Sequence, residues 1–596
     1  MLIGLSALWL LTPALAQDDP KKVSVNVTVD SEVRMQRYNP SPFDWTGGSK
    51  PRFVEEVTRV TGRANTGRWS FQAQIDQVAF IGLPHIVDGE SKTNTPIMYA
   101  PCFLDDGICV SNPFGNTDNR SADRFYMNPE KLAVSWTGDN VEVTVGDFYG
   151  AFGVGSSLNL NRNVDNDTDT SIQGVKVVAR PGDWEVTGVF GTLNNQQVFQ
   201  DNPMPSLLDG DRRHIVAGAR LERFGLGPAD VGIHGVMYDF VSDKGMRGAL
   251  DELGSAPDVV SGGASTYLSA GGVDWNVQAD VFAYPEADLD PRIWAEGETK
   301  APGHALYGAG VWFWGNTTWQ AEFKRYKNVY RMNNVVPVAQ GFQIVAPPTM
   351  ELERAINIDT AAVTGSNDLT AGLLRVDIEA ADGVLPYIAL GVGRDTDTVN
   401  AAQKSPVPES IFQIQAGAEI LRDHWSLILD AVGRVDRKDR SDGINYGEDV
   451  QLYAAADIKA PLPIGAGTQI SLIGHHFNPG ATGEGEAEDL KANTPSWHEF
   501  NASCTVLATS NLGITGFYDH TTNPVAGSGA IGTGGNLSEK WPAAYGAGEL
   551  FWKPSSSWTI KAFHGGYAAG IRCSGGQCRN VPAFTGSRIS VTGTFQ

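Results

Sequence analysis

Val23-Ser24-Val25-Asn26-Val27-Thr28-Val29 alternates apolar and polar side chains without a break. Successive side chains of a strand point to opposite faces, so this stretch carries one apolar face and one polar face. Ile589-Ser590-Val591-Thr592-Gly593-Thr594-Phe595 repeats the pattern at the other end of the chain. Between them the sequence reads as a succession of such segments. They are joined alternately by compact turns and by connections of about ten residues or more.

Compact turns are read at 65–67, 137–140, 181–183, 224–228, 271–272, 315–316, 381–383, 422–423, 461–467, 510–511 and 554–556. Gly, Asn, Asp and Pro supply the backbone angles these turns need. Long connections are read at 39–51, 83–129, 149–171, 191–212, 241–263, 285–303, 330–368, 395–409, 438–447, 479–496, 520–544 and 568–582. Eleven short and twelve long connections imply 24 strands. Ala355 to Thr364 would make the count odd if it were a further strand, so it is assigned to the connection 330–368 as a local hairpin. An even count with one compact and one elaborated end is the pattern of a single-chain outer-membrane barrel. The expected fold is therefore all-β: a transmembrane antiparallel up-and-down β-barrel of about 24 strands.

Tryptophan supports this reading. Trp69, Trp184, Trp275, Trp319, Trp425 and Trp558 follow compact turns closely, and Trp136, Trp314 and Trp552 precede them. Amphipathic rings favour the headgroup level, so these nine are expected to form a periplasmic aromatic girdle. Tyr126, Tyr149, Phe240 and Tyr284 are candidates for the outer girdle, and Phe595 for the terminal-strand aromatic, with Gln596 after it. The faces are read locally. In 424–435, Trp425, Leu427, Leu429, Ala431, Gly433 and Val435 are assigned to lipid and the alternate residues, His424 to Arg434, to the lumen. Trp275, Val277, Ala279, Val281 and Ala283 are assigned to lipid, and Asn276, Gln278 and Asp280 to the lumen. Trp319, Ala321 and Phe323 are assigned outward, and Gln320, Glu322 and Lys324 inward.

The net charge of −23 disfavours nucleic acid and other polyanions as partners and suits a surface that attracts cations. Residues 1–16 read as a signal peptide: Leu2 to Leu15 is almost wholly apolar and Ala14-Leu15-Ala16 is a small-x-small cleavage site, although no Lys or Arg precedes the apolar run. Residues 17–22 then form a short periplasmic segment and 23–596 the barrel, with no room for an N-terminal plug domain. No later run approaches the length of a transmembrane helix.

With strands ~4.8 Å apart and tilted near 40°, a ring of this size is roughly 45–50 Å across. An opening of that width would abolish the barrier, so connections are expected to fold inward. The longest, 83–129 and 330–368, are the candidates, because each carries apolar residues such as Tyr99, Phe103, Phe342 and Ile344.

Cys102 with Cys109, and Cys573 with Cys578, form two close pairs in long connections, where an oxidising compartment favours local disulfides, with crossed pairing left open. Cys504 alternates with Phe500, Ala502 and Val506 and reads as a lipid-facing or packed residue. Asp165, Asp167 and Asp169 resemble the start of a calcium loop, but Gly at position six and Glu at position twelve are missing. A solvated acidic loop is the competing reading. His475 and His476 are adjacent in a strand and face opposite sides. His520, His564, Asp519 and Glu549 are candidates to converge on the outer lumen. No nucleophile elbow, His-Glu-x-x-His or phosphate loop is present, so no catalytic residue or cofactor is assigned.

Val145-Gly146-Asp147-Phe148-Tyr149-Gly150-Ala151-Phe152-Gly153-Val154-Gly155, Gln173-Gly174-Val175-Lys176, Glu322-Phe323-Lys324-Arg325-Tyr326 and the segment Gly570 to Gly586 are the most distinctive stretches. With them the chain resembles a family of large, functionally uncharacterised, porin-like outer-membrane barrels of diderm bacteria. The resemblance implies a channel or transporter and supplies neither solute nor catalytic residues. Outer-membrane lipid and lipopolysaccharide are the expected partners, with a lipoprotein or periplasmic protein as a further candidate. The rival readings are a surface receptor, adhesin or scaffold barrel, and a hydrolase in the barrel mouth.

Overall fold

A computed structural model describes residues 23–37, 52–81, 124–163, 168–196, 215–239, 259–285, 302–327, 369–395, 409–439, 445–461, 467–478, 496–522, 544–567, 570–574, 577–581 and 584–595. None of these residues is helical. The leader, residues 17–22, Cys102, Cys109, Asp165, Asp167 and the segment 355–364 lie outside them, as do residues 82–123 and 328–368.

The barrel strands are β1 (Ser24–Arg37), β2 (Arg52–Thr66), β3 (Trp69–Ile81), β4 (Arg124–Thr137), β5 (Val141–Phe148), β6 (Thr168–Ala179), β7 (Trp184–Gln196) and β8 (Ile215–Leu226). Then come β9 (Ala229–Asp239), β10 (Val259–Ala270), β11 (Val273–Ala283), β12 (Gly303–Trp314), β13 (Thr317–Lys327), β14 (Leu369–Ile378), β15 (Val384–Asp395) and β16 (Glu409–Leu421). The ring is completed by β17 (Ser426–Asp439), β18 (Asn445–Ala460), β19 (Gly467–Asn478), β20 (Trp497–Thr509), β21 (Leu512–Thr521), β22 (Ala544–Ser555), β23 (Trp558–Tyr567) and β24 (Phe584–Phe595).

Each strand pairs antiparallel with its sequence neighbours, and β1 pairs with β24 from Val27↔Phe595 to Gln36↔Gly586. The sheet is therefore a closed barrel of 24 strands among the described residues. Ten of the expected compact turns lie within the described residues and join strands where the sequence placed them; of the eleventh, 461–467, residues 462–466 lie outside the described residues, between β18 and β19. Each long connection falls between the expected pair of strands. Within the connection expected at 83–129, residues from Arg124 onward are strand. The short turns rest on left-handed glycines such as Gly271 (φ 64°) and Gly315 (φ 61°).

Closure satisfies every ladder hydrogen bond without an edge, which a hydrocarbon surrounding demands. Parity then divides the side chains. On β11 Gln278, Asp280 and Phe282 are buried, whereas Trp275 and Val281 are exposed, Val281 at 63%. On β13 Phe323 is exposed and Lys324 is buried, and on β17 Leu429 is exposed while Val432 and Arg434 are buried. The three local face assignments hold. The outer surface is apolar from strand to strand, with Phe190, Ile233, Leu390, Phe412, Ile514 and Ile589 all exposed on it. An apolar band of this extent wrapped around a closed barrel is a lipid-facing surface.

Ala279 is exposed on the outer face near the middle of β11, and Asn276 sits three residues away on the inner face. Ala279→Arg should reduce stability in lipid by roughly 2–4 kcal/mol, and Asn276→Arg should cost far less. Urea unfolding of the reconstituted protein, followed by tryptophan fluorescence, reads both. Equal losses would contradict the face assignment.

Candidate functional site

The connection between β5 and β6 turns into the barrel. Gly150–Ala151 pairs with Asn159–Leu160, and Arg162–Asn163 pairs with Thr168–Asp169 at the start of β6. Backbone bonds from Phe152 N to Leu158 O (2.9 Å) and from Gly155 N to Phe152 O (3.0 Å) close a tight turn between the first two short segments. This turn carries three apolar side chains inward. Phe152, Leu158 and Leu160 are buried against Val189, Leu193, Val216, Val236, Tyr238 and Phe282 of the inner wall. Burial of each such side chain is worth roughly 1.5–3 kcal/mol. The inner wall of β6 to β13 is therefore apolar where the turn docks, contrary to a simple rule of polar inside.

A polar latch fixes the docked turn. The Asp280 carboxylate on β11 accepts hydrogen bonds from Ser156 Oγ, from Ser157 Oγ at 2.9 Å and from Gln278 Nε2 at 2.8 Å. His234 Nε2 on β9 lies 2.6 Å from its Oδ1. Gln278 also accepts from Val154 N at 2.5 Å, and Tyr238 donates its hydroxyl to Ser157 O. A buried carboxylate needs this many donors, because each unmade bond to it would leave a desolvated charge. Gly153 makes the approach possible: its φ is +57°, and a Cβ there would stand 1.8 Å from Gln278 Oε1. Gly263, on the strand beside Asp280, is needed for the same reason, since a Cβ would stand 1.9 Å from Asp280 Oδ1.

Both ends of the connection are anchored as well. Before it, Asp147 accepts from Asn194 Nδ2 (2.7 Å), Ser171 Oγ (3.3 Å) and Leu132 N (2.8 Å). After it, Asp169 accepts from Lys131 Nζ and from the Tyr149 hydroxyl at 2.6 Å. Burial, and then the Asp169 carboxylate, push the Tyr149 hydroxyl well above the usual phenol range, so it stays a donor. Beside this group Arg59 clasps Asp76 through Nε at 2.9 and 3.0 Å. The arrangement is a short turn, part polar and part apolar, docked on the inner wall of the barrel.

Residues 83–123 and 330–368, the core of the two connections expected as fillers, lie outside the described residues. An inward turn is described in the connection that carries the Val145 to Gly155 motif. Asp169 is not a solvated loop residue: it is buried in β6 and engaged by Lys131 and Tyr149. Among the described residues no group of three or more His, Cys, Asp or Glu is placed to hold a metal ion. His520 and His564 do not converge with Asp519 and Glu549. Asp519 faces inward and accepts from Asn501 Nδ2 at 3.0 Å, and Glu549 faces inward 3.6 Å from Arg588. His520 pairs with outward Phe500, and His564 contacts Ser587 on the outward face at 2.8 Å. Strand parity forbids neighbours such as Asp519 and His520 from sharing a face. His475 is buried and His476 exposed, on opposite faces.

Cys573 and Cys578 stand directly opposite in a two-stranded hairpin, Gly570–Ser574 with Gln577–Val581. Cys504 is free and exposed. All nine tryptophans named above share the parity of the exposed apolar residues. Trp69 pairs with Trp136 across β3 and β4, Trp319 stacks on Trp312 at 5.6 Å, and Trp558 meets Phe595 edge-on at 5.4 Å.

No protein-family model and no curated protein matches the chain. Among solved structures it is similar to the outer membrane protein opdK from Pseudomonas aeruginosa at 12% identity, over 73% of this chain and 98% of that one, with a TM-score of 0.34. It is also similar to the P pilus usher (PapC) translocation pore at 10% identity, over 96% and 100% of the two chains, TM-score 0.38. A BenF-like porin from Pseudomonas fluorescens Pf-5 aligns at 10% identity over 74% and 99%, TM-score 0.35.

Asp280→Ala removes the common acceptor of the latch. Amide exchange across 150–160, measured by mass spectrometry, should accelerate by about tenfold or more, since bonds to a charged group contribute ~1.5–3 kcal/mol. Gly153→Ala should do the same through the contact with Gln278. Unchanged protection in both variants would show that the turn is not held by the latch.

Proposed function

We propose that this protein is a porin-like channel of the outer membrane of a diderm bacterium, constricted by its own inward-folded connection. The observation that carries the reading is the docked turn Gly150–Leu160 inside a closed, externally apolar barrel. A barrel of this width needs its lumen narrowed if it is to pass solutes selectively, and the docked turn supplies part of that narrowing. Charges on the inner face support a polar interior: Arg59, Asp76, Lys324, Arg434 and Asp436 all have inward parity and are buried. The outward tryptophans at the short-turn end support their assignment to a periplasmic headgroup belt. Orientation follows, with long connections and lipopolysaccharide on the outer side.

The acidic balance of the chain, −23, favours entry of cations over anions. Planar-bilayer recording of the purified protein should show stepwise conductance, and a salt gradient should give a reversal potential of cation-selective sign. A protein that inserts as a heat-modifiable barrel yet remains silent would contradict the channel reading and favour a receptor or scaffold barrel.

Disulfides within the pairs Cys102–Cys109 and Cys573–Cys578 fit an extracellular location for these connections. The opposed register of the second pair supports a local bond. Thiol titration of the denatured, unreduced protein should then find one reactive thiol of the five cysteines, that of Cys504. Several reactive thiols would exclude the local pairing.

A further inference from the structure

The outward face of β12 to β17 is uncharged over most of its height. Every second residue of these strands faces lipid, and below the outer ends none of the described ones is acidic or basic. Cations appear on this face only where the strands near their long connections. Arg325 and Lys327 stand at the end of β13, Arg394 at the end of β15 and Arg437 at the end of β17, with His304 at the start of β12 opposite Lys327. Lys327, Arg394, Arg437 and His304 are exposed, and Arg325 is half-buried.

Register sets the arginines in one row. Arg325 is opposite Thr370, Thr370 opposite Arg394, Arg394 opposite Ser410, and Ser410 opposite Arg437. A guanidinium therefore recurs on every second strand, roughly 10 Å from the next, with a hydroxyl-bearing residue between. Arg325 Nη1 donates to Thr370 Oγ1 at 2.7 Å, which lays the first guanidinium along the row. On β18 the residue opposite Arg437 is Glu448, and the cationic row ends there.

Strand geometry gives the height of the row. A tilted strand crosses the hydrocarbon in about 9–11 residues. Arg325 is the ninth residue of β13, Arg394 the eleventh of β15 and Arg437 the twelfth of β17, counted from the compact turns. They therefore emerge at the headgroup level opposite the tryptophan belt. A cation on the lipid face costs roughly 2–4 kcal/mol at the midplane and roughly 0–1 kcal/mol near an interface. The row stands where that cost vanishes.

We propose that this arc is a docking site for the phosphorylated glycolipid of the outer leaflet, lipopolysaccharide, whose phosphates are held by Arg325, Lys327 and Arg394. Outward parity keeps these groups from serving the lumen, so their partner lies in the membrane. The chain has 68 acidic and 45 basic residues, yet the row holds no acid before Glu448, which suits an anionic neighbour. A guanidinium offers five donors in a fixed fork that matches phosphate oxygens. Cations recurring at this spacing fit a headgroup that carries two phosphates set apart on a sugar backbone, better than the single phosphate of a glycerophospholipid. Below the row, Phe323, Leu390 and Phe412 are exposed and receive the acyl chains. The lipid thus meets a cationic rim and an apolar wall in the order of its own headgroup and chains. The site depends on the orientation given above, with long connections outward, and not on conductance.

Native mass spectrometry of the full chain in detergent micelles tests it by titration with diphosphoryl lipid A, with dephosphorylated lipid A and phosphatidylglycerol as comparators. Diphosphoryl lipid A should bind saturably, about tenfold more tightly than either comparator. The variant Lys327→Gln/Arg394→Gln, checked as folded by heat-modifiable migration, should weaken that binding by about tenfold, the equivalent of ~1.4 kcal/mol. Arg68→Gln/Arg180→Gln removes the same charge at the short-turn end, where both side chains are exposed, and should leave binding unchanged. Equal binding of either comparator, unaltered affinity in the folded Lys327/Arg394 variant, or equal losses in the two double variants would each overturn the site. Orientation is read separately. Thr522→Cys, just beyond the outer end of β21, in a Cys504→Ser background, should react with a membrane-impermeant maleimide on intact cells. A protein that labels from outside yet fails the lipid test loses the docking site alone. One that labels only after the cells are opened loses the orientation, and the site with it.

Discussion

Everything in this molecule depends on the seam between β1 and β24. In hydrocarbon an unpaired backbone amide or carbonyl has no solvent to turn to, so a sheet is stable there only when it has no edge. Ten paired positions, Val27↔Phe595 to Gln36↔Gly586, remove the edge that both terminal strands would otherwise present. Closure fixes parity around the whole ring, and parity decides which side chain meets lipid and which meets the lumen. The outward row of tryptophans and aliphatic residues and the inward row of paired charges are two consequences of one hydrogen-bond constraint.

Closure of so many strands creates a second problem, the width of the lumen. The solution visible here is asymmetric. Along β6 to β13 the wall is apolar enough to receive Phe152, Leu158 and Leu160, and Asp280 gathers the polar groups of the turn around one carboxylate. Along β16 to β19 the inner wall carries carboxamides and paired charges, among them Gln413, Gln415, Arg434 and Gln451.

The fold was legible in the sequence because its two signals are local. Period-2 alternation assigns faces, and Gly, Asn, Asp and Pro mark the compact ends, so strand number and order follow without any long-range knowledge. The site was less legible. Length and apolar content point to 83–129 and 330–368 as fillers, most of which lies outside the described residues; the docked turn of 149–163 is shorter and depends on partners far away in sequence. Asp280 lies more than a hundred residues from Ser156, and nothing near either residue announces the other. The glycines that admit the turn, Gly153 and Gly263, look like any others in a glycine-rich chain. His520 and His564 are kept from Asp519 and Glu549 by strand parity, which turns the two imidazoles outward and the two carboxylates inward. The acidic run at 165–169 looked solvated because its neighbours are polar, yet Lys131 on β4 draws Asp169 into the wall.

The most direct test of this account is a covalent one across the seam. Val33 of β1 stands opposite Ile589 of β24, on the outward face. Cysteines at these two positions, in a Cys504→Ser background, should join on mild oxidation of the folded, membrane-inserted protein, and a peptide containing both should be found by mass spectrometry. Efficient bonding at this pair, with none when the second cysteine is moved to Val591, would establish the closed register. A folded protein that fails to bond at Val33 and Ile589 would mean that the barrel is open or differently registered, and the assignment of faces and lumen would fall with it.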